Sequence, residues 1–429
     1  MNLRRLLAGG LSLTVLTGAL FAAAAAPSSG ATATPGEGIL CEPGNGIYAM
    51  STSSGFETMP DGNSIFTWGY HTATHNFQNT APVICANAGD TIRITLTNTL
   101  NEDTSFVFPG MSNVQADGVD SAPQSDATGR VTSLAPVAPA NGGQVTYTFT
   151  ADKPGTYMYE SGTDSRKQVE MGLWGAIIVY PSCHVTGCNQ AYDDPRTTFE
   201  PTREYIHMFS SVDPDIHAAV QLGKPVDWST YSAKYYLING RSAPDSLAPN
   251  NAAWLPFAPY GSMVRVRPQD PNGGDTLPAL VRYVNAMDKD VAFHPHGNIE
   301  RVIGEDAQPL DNIGSPDNSY GSFLVDIRSN RTAESMFTWT DQWHYNPTTN
   351  PIPVPLSPYN DLIIKGTWNA MSPYLGSQGA LPPGVTQFNQ CGEYYHMAHN
   401  HALYAATNYG ATFGGQMTLI RIDPLGGCA

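Results

Sequence analysis

The sequence predicts an all-β protein made of two Greek-key β-sandwich domains with long loops. Three observations point there. Glycine (41 residues) and proline (34) are abundant in a chain of 429, and only 14% of residues are charged, which is low for a helical protein. Short segments alternate apolar and polar side chains, the period of a strand that buries one face. Gly/Pro-containing turns separate these segments at short intervals, the rhythm of sandwiches.

The clearest strands are expected over 91–97, 144–149, 175–180 and 263–267. Helix signals are scarce, and 216–222 carries the one short helix expected. The polar, irregular stretch 181–201 is taken as the boundary between a first domain (38–182) and a second (200–425). A second irregular stretch, 346–384, is rich in proline, asparagine and serine and is expected to form a long loop over one face.

The N-terminus reads as an export signal over 1–33. Arg4 and Arg5 precede an apolar run over 6–26, and Ala31-Thr32-Ala33 offers a small-residue cleavage site. No later segment is apolar enough to span a bilayer. The mature chain is therefore expected outside the cytoplasm, secreted or on the cell-envelope exterior. Losing Arg4 and Arg5 takes its formal charge from −16 to −18. That balance disfavours nucleic acid and anionic lipid as partners. Six cysteines in an exported chain read as disulfides. Cys183 with Cys188 brackets a short loop; Cys41 with Cys85 and Cys391 with Cys428 would tie down the two ends. Other pairings stay open.

Of eleven histidines, five fall in two tight clusters: Phe293-His294-Pro295-His296-Gly297 and Tyr395-His396-Met397-Ala398-His399-Asn400-His401. Two histidines separated by one residue on a strand share a face. Two such pairs side by side converge four neutral imidazoles, a donor set for copper, zinc, nickel or iron. By the same parity His396 points away from His399 and His401. Ordinary hydrogen-bonded histidines are the alternative for either pair alone; the occurrence of both favours a metal site at His294, His296, His399 and His401.

The order of segments then resembles the multicopper oxidase family. Ala88-Gly89-Asp90-Thr91 with Asn98-Thr99-Leu100 is similar to the family's first-domain "GD" strand. Pro154-Gly155-Thr156-Tyr157-Met158-Tyr159 followed by Gly172-Leu173-Trp174-Gly175-Ala176-Ile177 looks like "PGTYWYHSH…GLxGAI". Ile238-Asn239-Gly240 resembles the "INGR" strand, 293–297 the "HPxHLHG" motif, and 399–417 the closing "HCH…GM" region. The resemblance runs from about Gly38 to Asp423, and the HPH and HNH variants resemble a large bacterial subgroup. It implies cupredoxin-like domains and copper.

The departures matter as much. Phe106-Val107-Phe108-Pro109-Gly110 stands where the first HxHG belongs, and Tyr159-Glu160-Ser161-Gly162 where YHSH belongs. Val291 replaces the leading histidine of HPxHLHG, and Asn400 the cysteine of HCH. A blue-copper site needs that thiolate. The resemblance therefore implies one histidine-only, type 2-like site holding one copper ion, with zinc as the other candidate. The expected function is a copper-dependent oxidoreductase acting on a small reductant or a metal ion. The alternatives are a non-catalytic copper-sequestering protein and a metal-free structural module. The implied oligomeric state is open, because the first-domain ligands that would complete a site between subunits are missing.

Secondary candidates are weaker. His71 and His75 read as surface loop residues, with a second metal site as the minority reading. Glu160, at a ligand position of the family, is a candidate carboxylate ligand or base. Glu170, Asp306 and His344 are candidates for orienting an imidazole. Met397, Met417 and the Tyr394–Tyr395 pair read as core packing.

Overall fold

The computed structural model describes residues 37–269, 276–297, 299–310, 314, 316–339, 394–412 and 414–423. The proposed signal (1–33), the loop 346–384, His344, and Cys391 and Cys428 lie outside the described residues.

The strands build two sandwiches. In the first, a six-stranded sheet runs in the order Ser64–His71, Ile47–Thr58, Thr91–Asn98, Gly143–Thr150, Gln115–Ala116, Val119–Asp120. It faces a three-stranded sheet of Gly155–Glu160, Trp174–Tyr180 and Ile84–Asn87. Alternation works as the sequence implies: Ile92, Ile94 and Leu96 all point into the core, with polar residues between them. In the second, the larger sheet runs Tyr235–Ile238, Glu204–Val212, Ala279–Asn285, Thr332–Phe337, Glu300–Glu305, Gln308–Pro309, with Tyr320–Ser322 added to Glu300–Glu305. Its partner is a five-stranded sheet of Val264–Val266, Met417–Ile422, Tyr394–Asn400, Val291–Pro295 and Val325–Ile327.

The strand Trp174–Tyr180 does not alternate; all its residues are buried. Its two faces serve two cores. Ile177 and Val179 pack in the first sandwich. Trp174, Ala176, Ile178 and Tyr180 pack against Ile206, Met208 and Val284 of the second. A strand covered on both sides reads as a continuous apolar run, which is why the two sandwiches hold each other as a unit. Polar groups reinforce the seam. Glu334, fully buried, accepts from the backbone N–H of Thr156 (2.6 Å) and from the Tyr192 hydroxyl (2.6 Å). Arg282 donates to Glu204 (2.6 Å) and to the Thr156 hydroxyl (3.1 Å). Gly155 sits at φ 143°, and a Cβ there would lie 2.5 Å from Ala307 Cβ, so glycine allows the close approach at this point.

The expected helix is found at Pro214–Gln221, two residues earlier than its apolar pattern suggests. Asp213 caps it, accepting from the N–H groups of Asp215 and Ile216, and Pro214 occupies the first turn. A second helix, Ser165–Glu170, has no sequence signal: it is one and a half turns long and has no side-chain cap to mark its start. Cys41–Cys85 and Cys183–Cys188 are disulfide-bonded, the latter across a 3-10 turn at Ser182–Thr186. Among the described residues no helix is long and apolar enough to cross a membrane.

Candidate metal centre

The two histidine motifs meet on adjacent strands. Val291–Pro295 pairs antiparallel with Tyr394–Asn400, and the register sets His294 opposite His399. His296 and His401 continue the two rows just beyond the paired segment, held by His296 N–H to Met397 O (2.9 Å) and His401 N–H to Ala292 O (2.8 Å). The four imidazoles gather: ring centres are 4.7 Å apart for His294–His296, 5.1 Å for His296–His399, 5.3 Å for His294–His401 and 5.9 Å for His399–His401. His396 lies on the opposite face, fully buried, with its ring 4.5 Å from that of Trp339. Strand parity places all five.

Hydrogen bonds aim the donors. His294 Nδ1–H donates to Phe323 O (2.5 Å) and His399 Nδ1–H to Asn400 O (2.8 Å). A ring that donates from Nδ1 keeps the Nε2 lone pair in its neutral form. His296 Nε2 and His399 Nε2 face each other at 3.1 Å. Burial, then the neighbouring imidazoles of His399, His294 and His401, pushes His296 down to about 4. Burial lowers His399 as well, against the opposing pull of its bond to Asn400. Both rings are therefore in the uncharged, ligating form near neutral pH.

Copper or zinc can be tested against this arrangement. Ligand atoms 3.1 Å apart subtend roughly 100° at an ion bonded at about 2.0 Å, between the square-planar and tetrahedral angles. The His296–His399 pair therefore fits an imidazole-liganded ion. Among the described residues no three His, Cys, Asp or Glu groups converge closely enough to chelate one as they stand. His294, half-buried, and His401, exposed, would have to turn their rings to join the pair.

The orienting partners differ from those expected. Glu170 accepts from Asp213 N–H (2.9 Å) and the Tyr231 hydroxyl (3.0 Å). Asp306 accepts from Thr332 N–H and pairs with Arg331. Neither carboxylate touches the cluster; two backbone carbonyls orient its rings. The Phe323 carbonyl had no sequence signal, because a main-chain acceptor is the same in every residue. His71 ends a strand of the first sandwich, its Nδ1 against Thr72 O (3.0 Å), and His75 N–H bonds to the same carbonyl. Met397 and Met417 pack with Ala243, as expected of core residues.

Asn400 is built in as structure. Its side chain donates to Gln416 Oε1 (2.8 Å) and accepts from Ala402 N–H (3.0 Å), and only 1% of it is exposed. Gln416 in turn donates to Ser210 O (3.1 Å) and Leu237 O (3.2 Å).

The first sandwich is closed in a different way. Val107 and Glu160 pair across a bridge (N–H···O 2.8 and 3.1 Å). Phe106, Phe108 and Tyr159 therefore point inward, joining Tyr70, Tyr147 and Phe149 in an aromatic core. A Cβ on Gly162 would lie 2.7 Å from Val107 Cγ1 and 3.1 Å from Ser105 Oγ. The space a histidine would need is already filled. Gly162→His is expected to lower stability by about 1–3 kcal/mol through overpacking and to leave metal content unchanged; a chemical melt and metal analysis of the variant would check both.

Comparisons with known proteins agree with this fold. Residues 67–183 match the multicopper oxidase family model. The chain is 30% identical over 164 residues to multicopper oxidase CTB12 of Cercospora beticola, covering 36% of this chain and 21% of that protein. It is 40% identical over 100 residues to the iron transport multicopper oxidase fetC of Epichloe festucae, covering 23% and 14%. The matches thus span about a fifth or less of these relatives. Among solved structures, the blue copper oxidase from Nitrosomonas europaea superposes with a TM-score of 0.56 at 20% identity, over 88% of this chain and 85% of that one. Multicopper oxidase mgLAC gives 0.55 at 18%, over 89% and 87%. Residues 67–183 are accordingly similar to a multicopper oxidase domain, and the chain shares the two-sandwich fold of these solved structures.

Proposed function

We propose that the protein is an exported copper-binding oxidoreductase whose single, histidine-only centre is formed by His294, His296, His399 and His401. The observation that carries this reading is the opposed pair of neutral imidazoles, His296 and His399, with Nε2 atoms 3.1 Å apart. The Phe323 and Asn400 carbonyls hold the His294 and His399 tautomers that leave Nε2 available. Exposed His401 and half-buried His294 leave the centre open on one side, where a small reductant such as a phenol, or a reduced metal ion, has access. Copper bound by imidazoles alone would supply one-electron redox chemistry. With Asn400 in place of a thiolate, no blue-copper site forms.

The test is metal analysis with electron paramagnetic resonance on the exported protein. One copper per chain, a type 2 signal and no intense blue absorption are expected. The double substitution His296→Ala/His399→Ala is expected to abolish copper retention; unchanged metal content would sink the assignment, and zinc in place of copper would sink the redox reading. The sealed hydrogen bonds of Asn400 favour a passive copper carrier as the second reading, which keeps the metal and shows no turnover on phenols, Mn(II) or Cu(I). Export itself is supported by the N-terminal sequence and is checked by N-terminal sequencing of protein from culture supernatant.

A further inference from the structure

A cavity of about 350 Å³ opens between the two sandwiches, apart from the histidine cluster. The first sandwich contributes Glu160, Arg166 and Glu170; the second contributes Trp228, Tyr231 and Asp288. Its size is within the range of small-ligand sites.

Three of these charged groups are unused by the fold. Glu160, the last residue of its strand, is half-buried, and among the described residues its carboxyl has no hydrogen-bond or ion-pair partner. Burial alone pushes it up to about 7. Arg166 is exposed, lines the cavity and forms no ion pair among the described residues; its guanidinium lies 4.3 Å from the centre of the Trp228 ring, which fixes its place on the wall. Asp288, also exposed, is unpaired among the described residues too. Glu170 differs: it is held by Asp213 and Tyr231 and serves as wall.

The arrangement discriminates among ligands. A metal ion is disfavoured, because the carboxylates do not converge and a guanidinium shares the cavity. A simple anion would meet Glu160 and Asp288, and a simple organic cation would meet Arg166. A molecule with both charges satisfies groups of both signs.

We propose that this cavity binds a small zwitterion of the amino-acid class, with its ammonium toward Glu160 and Asp288, its carboxylate toward Arg166, and its side chain along Tyr231. The site is independent of copper at the histidine cluster.

Titration calorimetry of the full-length mature protein with glycine, L-alanine, L-leucine and L-glutamate tests it, with propylamine and propionate as single-charge controls. Saturable binding is expected for at least one amino acid, and binding at least about tenfold weaker for both controls. Glu160→Gln and Arg166→Ala should each weaken that binding about tenfold or more while leaving the ligand-free melting curve of a folded protein. Absence of saturable heat up to about 10 mM for every amino acid would overturn the proposal. So would binding that both variants leave intact, or a control that binds as well as its amino-acid counterpart.

Discussion

Arg282→Leu is expected to destabilise the protein by about 3–5 kcal/mol, enough to unfold a marginal domain. Arg282 has no exposed side-chain surface and stands where the two sandwiches meet. It donates to Glu204 at 2.6 Å and to the Thr156 hydroxyl at 3.1 Å, and Glu334 lies 3.9 Å away. Leucine would fill part of the volume but leave Glu334 as a buried carboxylate without its nearby cation. Removing one member of a buried ionic group is far costlier than replacing the whole group with apolar residues. The double variant Arg282→Leu/Glu334→Leu should therefore lose less than the sum of its single variants. Urea denaturation of the three variants measures this; a loss below about 1 kcal/mol for Arg282→Leu would show that the seam is held by apolar packing alone.

Stability is expected to fall by roughly 3–4 kcal/mol as pH rises from about 6.5 to 8. Burial pushes Glu57 and Glu170 up to about 8 and Glu300 and Glu160 up to about 7. In Glu57 one carboxyl oxygen accepts from Asn79 (2.7 Å) and the other has no partner. A carboxyl raised in the fold keeps its proton there after the unfolded chain has released it. Folding then takes up protons between the unfolded value, 4.5, and the folded one, so stability declines across that window. Histidines act in the opposite direction at lower pH. Burial lowers His207 to about 4 and lowers His217, His296 and His399 from the ordinary 6.5, so the unfolded chain binds the extra protons and stability rises toward 6.5. The two sets offset one another up to that point; above it the histidine contribution fades and the carboxyl arm dominates. Chemical denaturation at a series of pH values should show a plateau and then this decline. Glu57→Gln/Glu170→Gln should flatten the alkaline limb, and an unflattened limb would place the titration elsewhere.

The histidine centre was legible because strand geometry is a matter of parity. Spacing alone places His294 with His296 and His399 with His401, and sets His396 on the far face. Their meeting was not legible: it depends on the pairing of Val291–Pro295 with Tyr394–Asn400, about a hundred residues apart. The absence of histidines over 106–110 and 159–162 could be read in the sequence, but the filling of that space could not, since the clash at Gly162 comes from Val107 and Ser105. Helix Ser165–Glu170 is not legible in the sequence because a short, uncapped helix carries almost no pattern.

By itself the sequence determined the class of fold, the strands found at Thr91–Asn98, Gly143–Thr150, Trp174–Tyr180 and Val264–Val266, and the identity of the four imidazoles, since each is written in local periodicity or residue type. Only the tertiary structure decided which backbone carbonyls aim those imidazoles, why Trp174–Tyr180 is apolar on both faces, and that unpaired Glu160 and Arg166 share one cavity. These depend on contacts between segments distant in the chain, where packing sets the partner and no local pattern records it.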